Sequence, residues 1–129
     1  GSVVSASVAA QVTANVTALN SAINTVAQQN KALVYDLNAF FSQMKTQGLV
    51  VNGQQLTAGY LGGIYSLDGY YPGFTAHAMI ANNILALLNK QFGTSYATVN
   101  VTTQSTNDPA IRIMPFVKRK KEAPVEVRR

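Results

Sequence analysis

The chain has 129 residues, of which 47% are apolar and only 12% charged, with a formal net charge of +5. That length suits one domain or one piece of a larger one, and the charged share is about half the ~25% usual for a soluble domain, which points to a face covered by a partner, a further segment or a second copy. The absence of cysteine excludes disulfide and thiol chemistry, and no apolar run approaches the roughly 18–20 residues that span a bilayer.

The basicity is local. Residues 1–115 carry Lys31, Lys45, Lys90 and Arg112 against Asp36, Asp68 and Asp108. Residues 116–129 carry Lys118, Arg119, Lys120, Lys121, Arg128 and Arg129 against Glu122 and Glu126. The body is therefore near neutral and the tail cationic. The start lacks a basic region ahead of an apolar block, so it does not read as a signal peptide, and Gly1-Ser2 reads as a cloning scar.

In chain order, the first element is a helix over residues 6–30. Val8, Val12, Val16, Leu19, Ile23 and Val26 recur at spacings of three and four, forming one apolar stripe. The reading is an amphipathic helix packed on a sheet. A coiled coil is the other arrangement, but no charged flanking positions set its partner. "ALVYDL" (32–37) then reads as a short buried strand. Asp36 or Asn38 caps a helix carrying Phe40, Phe41 and Met44, which stops at Gly48. "LVVNGQQL" (49–56) places Asn52-Gly53 between short flanks, a tight hairpin.

Residues 57–73 hold Gly59, Gly62, Gly63, Gly69 and Gly73 and read as an ordered loop. Thr75 is the expected N-cap of a helix running to Phe92, with Met79, Ile80, Ile84, Leu87 and Leu88 inward and Gly93 as its end. "TVNVT" (98–102) and "AIRIM" (110–114) alternate around Asn107-Asp108-Pro109, so the expectation there is a β-hairpin. From Lys118 on, charge and Pro124 predict a disordered tail. One buried strand cannot make a sheet, so the order of elements suits the closing part of an α/β layered fold whose upstream part lies elsewhere.

Three stretches, "VYDLNAFF", "VNGQQLTAGYLGGIYSLDG" and "AHAMIANNILALLNKQFGTS", give the chain from about Ala6 to Tyr96 a resemblance to the C-terminal portion of GDSL/SGNH hydrolases. The resemblance implies an α/β fold, the C-terminal part of a three-layer α/β/α architecture with an incomplete sheet. It covers the portion at 1–96, beside a β-hairpin extension at 97–117 and a basic tail at 118–129 that are read from alternation and charge. It also implies ester or acyl substrates and a secreted or periplasmic setting. In that family a Gly-Asp-Ser block supplies the nucleophile, and a final Asp-x-x-His block, usually followed by proline, supplies acid and base.

On that pattern Asp68 takes the aspartate position, Pro72 the proline position, and Tyr71 the position of the catalytic histidine. No Gly-Asp-Ser occurs in the chain, and no residue matches the oxyanion-hole blocks. A serine esterase needs a base that is neutral near pH 7 yet able to take a proton. An imidazole, near about 6.5, does this, and a phenol, near about 10, does not. Tyr71 is therefore no working substitute, though it can donate a hydrogen bond to Asp68.

His77, the only histidine, is the alternative base. It lies nine residues beyond Asp68, where the family spacing is three, and inside a helical turn, so it reads more readily as a packing or solvent-facing residue than as the base. Asp68 in turn reads as an Asp-Gly turn residue as well as an acid. Tyr60, Tyr65, Tyr70 and Tyr71 either line an apolar ester cleft or plug the loop into the core. One histidine, no cysteine and scattered carboxylates make no metal-ligand cluster, and no cofactor motif is present.

Without an aromatic platform or recognition helix, "KRKK" points to no specific nucleic acid, and a terminal charge run is more often solubilising than membrane-binding. The expectation is a hydrolase portion that is inactive alone. The alternative is a non-catalytic binding or assembly module of the same fold, with self-association through an uncovered face.

Overall fold

A computed structural model describes residues 3–113 as four named helices and one two-stranded antiparallel sheet, a mixed α and β arrangement. The basic tail lies outside the described residues. The chain divides into two compact units, at Tyr35/Asp36.

The first unit consists of helix α1 (Ala6–Gln29) and the extended segment after it. Ser5 caps α1 by accepting from the Val8 amide. At the other end Lys31 sits at φ 53°, and the Lys31 and Ala32 amides return to the Gln28 and Ala27 carbonyls. That is a Schellman closure, with lysine where glycine is usual. The stripe expected to be covered is open, since Val8, Val12, Val16, Leu19, Ile23 and Val26 are 48–60% exposed and α1 buries no residue. The strand expected over 32–37 does not form. Residues 32–36 take no regular secondary structure, and the two described strands pair with each other.

The second unit begins with α2 (Leu37–Gln47), capped by the Asp36 carboxylate on the Ala39 amide. Gly48, at φ 64°, ends it, and a Cβ there would sit 2.5 Å from the Leu56 carbonyl. The predicted hairpin follows as β1 (Leu49–Val51) and β2 (Gln54–Leu56), in the register Leu49–Leu56, Val50–Gln55, Val51–Gln54. Asn52 and Gly53 are both at positive φ, as a type I′ turn requires. Phe40, Met44, Val51, Leu56, Ile64, Ala76, Ala78, Ala110 and Ile111 make the core.

Helix α3 spans Phe74–Phe92 and ends at the left-handed Gly93. Its N-cap is Gly73, two residues before the expected cap, and Thr75 is buried inside the helix. The inward face is also shorter than periodicity suggested. Burial concentrates at Thr75, Ala76 and Ala78, while Met79, Ile80, Leu87 and Leu88 are half-buried and Ile84 is 39% exposed.

The largest correction is at the C-terminal end. In place of a β-hairpin over 98–102 and 110–113, the chain forms helix α4 (Val101–Asn107) and a further helical turn at 109–113, while the rest of the expected extension, 114–117, lies outside the described residues. Asn100 caps α4 through the Thr103 amide. Asp108 closes α4 and opens the next turn with Pro109 at its first position, where proline's fixed φ and missing N–H suit a helix start. The period-two alternation was real, but capping chemistry at Asn100 and Asp108-Pro109 overrides it.

Between α3 and α4 the extended chain runs back along α3. Asn89 donates to the Tyr96 carbonyl (3.0 Å) and accepts from its amide (2.8 Å). Asn82 does the same with Val99, at 2.9 and 2.7 Å. The spacing is dictated by geometry. Seven helical residues rise about 10.5 Å, and three extended residues cover about 10 Å, so two asparagines two turns apart meet residues three apart on the strap. Helix α4 then packs on α3 and β1.

Candidate functional site

The loop from Ile64 to Gly73 is a small closed structure. The Gly73 amide donates to the Ile64 carbonyl (2.9 Å) and the Ser66 amide to the Tyr71 carbonyl (2.8 Å). Across its tip, Asp68 Oδ1 accepts from the Ser66 hydroxyl (2.6 Å) and from the amides of Tyr70 (2.8 Å) and Tyr71 (3.0 Å). Gly69 supplies the positive φ of 71° that the tip needs. These donors favour the charged form. The Ser66 hydroxyl first, then the two amides, hold the Asp68 carboxyl below its ordinary 3.8. Asp68 is solvent-exposed.

The expected bond between the Tyr71 phenol and Asp68 is replaced by one from the Tyr71 backbone. The phenol itself is 63% exposed and meets the Tyr70 ring edge-on at 5.1 Å. Of the four loop tyrosines, Tyr65 plugs the loop into the unit by stacking on Phe41 at 5.5 Å, while Tyr60, Tyr70 and Tyr71 face solvent.

His77 lies on the first turn of α3 and bonds through Nδ1 to the Gly73 carbonyl at 3.1 Å. A carbonyl only accepts, so the neutral ring carries its proton on Nδ1 and leaves Nε2 as the acceptor. Asp68 and His77 share the lining of one groove of about 290 Å³, together with Leu67, Phe74 and Pro109. The structure therefore brings an exposed carboxylate and an imidazole to the same groove but gives them separate hydrogen-bond partners. Tyr71 is not among the groove's lining residues.

Two contributors were missed in the sequence. Ser66 reaches the groove and bonds Asp68, but a carboxylate below its ordinary range is a weak base, so the pair does not activate the hydroxyl. Asp108 was read as a turn residue. It is only 1% exposed, and its Oδ2 accepts from the Thr75 amide (2.8 Å) and hydroxyl (2.9 Å), with Oδ1 accepting from the Ala110 amide (3.0 Å). The signal for it was the Asp-Pro pair, an N-cap followed by a first-turn proline.

Among the described residues no group of three or more His, Cys, Asp or Glu is placed to hold a metal ion, and no helix is long and apolar enough to cross a membrane. No protein family, curated protein or solved structure matches the chain.

Proposed function

We propose that the chain is the C-terminal portion of a GDSL/SGNH-type ester hydrolase, carrying the acid loop of that site and inactive on its own. The observation that carries this reading is the Asp68 loop. It is an Asp-Gly-x-x-Pro turn locked immediately ahead of α3, with its carboxylate kept ionised and opening on a groove beside an imidazole. The uncovered stripe of α1 supports a three-layer fold whose remaining sheet is supplied by other chain.

Catalysis would need a hydroxyl within reach of a neutral base, and here the base position of the motif holds Tyr71, whose phenol faces solvent. His77 spends Nδ1 on the Gly73 carbonyl and not on Asp68, so the carboxylate does not orient it. The purified chain is expected to release no p-nitrophenol from short-chain p-nitrophenyl esters. Turnover that survives repurification and disappears in both Asp68→Ala and His77→Ala overturns the inactive reading. A Gly-Asp-Ser block in the natural sequence ahead of residue 1 is the matching expectation for the family.

A second reading, a non-catalytic assembly module of the same fold, is favoured by one feature, the uncharged and half-exposed stripe of α1.

A further inference from the structure

Gly73 is the joint between the acid loop and α3. Its amide holds Ile64, and its carbonyl takes both the His77 amide (3.0 Å) and the His77 ring. As N-cap it has no side chain to cap the helix, so the first-turn amides need an acceptor from elsewhere. That acceptor is Asp108, more than thirty positions on, which meets the Thr75 amide where an ordinary N-cap side chain would. The fit is close. A Cβ on Gly73 would lie 2.8 Å from Asp108 Oδ2, so the carboxylate occupies the space that glycine leaves. The same carboxylate caps the helical turn at 109–113. Asp108, Pro109 and Ala110 also form the groove wall that stands with Asp68 and His77.

We infer that Asp108 is a positioning residue for this site: it caps α3 from the C-terminal end of α4, fixes the Gly73 carbonyl, and through it holds His77 with Nδ1 protonated and Nε2 available to the groove. The inference rests on reading the Asp68 groove as the working face. Its readouts are magnetic resonance signals and not turnover, so loss of the hydrolase reading and loss of this one are separate results.

The chain's single histidine makes the test direct, because long-range 1H–15N correlation at alkaline pH reports one ring. The parent chain should show the Nδ1–H form, whereas a free imidazole in water favours Nε2–H. Asp108→Ala should shift the ring towards Nε2–H and speed exchange of the Thr75 amide about tenfold, the scale of a lost cap. Asp108→Asn, which keeps one acceptor oxygen, should restore part of both signals. Should Asp108→Ala fail to fold, Gly73→Ala gives the same reading, since its φ of −71° suits alanine and only the carboxylate is displaced. A folded variant of either kind with the parent's ring form and Thr75 exchange overturns the inference. So does a parent chain whose ring is already Nε2–H.

Discussion

At the scale of single residues, one aspartate is spent on shape and another on joining. Asp68 gives one oxygen to three donors within its own loop, which is how an Asx turn closes. Those donors depress its folded value below 3.8, so the order they confer is fully present above that pH and is lost as the pH falls through the depressed value. Acid titration followed by the amide signals of Tyr70 and Tyr71 should therefore show a loop transition below 3.8. Asp68→Asn, neutral throughout, should show none, and a transition that persists in that variant would sink the assignment. The turn role of the aspartate was legible in the sequence, and the bonds display it. Tyr71 was legible only as standing where the hydrolases that the loop resembles carry histidine, and its outward orientation was not legible. Nothing in a string of letters says whether the backbone or the phenol will reach the carboxylate.

At the scale of elements, α1, α2, the hairpin and α3 followed from periodicity, caps and turn residues, because each of those signals is local. Two failures share one cause. Residues 32–37 carry strand-type side chains, and 98–102 alternates, yet a strand exists only through a neighbour. Without one, the first segment takes no strand structure, and in the second the caps at Asn100 and Asp108 win. The strap between α3 and α4 could not be read from propensity, since its bonds run between an asparagine amide and a backbone at 7 and 17 positions' separation. Asparagine is a poor helix former, so its recurrence inside α3 was the only hint. Each pair contributes about 0.5–1.5 kcal/mol per hydrogen bond at most, and less where water replaces the partner. Asn82→Ala and Asn89→Ala are each expected to lower stability by roughly 1 kcal/mol and to expose the Val99 and Tyr96 amides, respectively, to faster exchange. Because both hold one strap, the double variant should lose less than the sum, once the first release has freed the second contact. Strict additivity, with exchange at each amide blind to the other substitution, would argue against a continuous strap.

At the scale of the molecule, the low charge content was the earliest clue that a face is uncovered, and α1 shows where that face is. Val16 and Ile23 occupy first positions of successive heptads, with Val12, Leu19 and Val26 at the fourth positions. Branched residues at the first position suit a two-stranded coil, though only Leu19 gives the leucine that such a coil prefers at the fourth. The helix has no charged residue to oppose such pairing. Six side chains left about half exposed would each gain roughly 1 kcal/mol on being covered, or about 12 kcal/mol for two chains. Association costs about 4–15 kcal/mol, so the balance is small, and an isolated helix of this length is itself marginal in water. The expected result is weak, concentration-dependent self-association, seen by light scattering as a mass that rises with loading. Val16→Asp combined with Ile23→Asp should hold the chain at monomer mass. The amide signals of the hairpin and α3 should stay in place, because those elements belong to the other compact unit. A parent chain that stays monomeric at every concentration, with α1 still helical by its chemical shifts, would show that two copies do not cover the stripe.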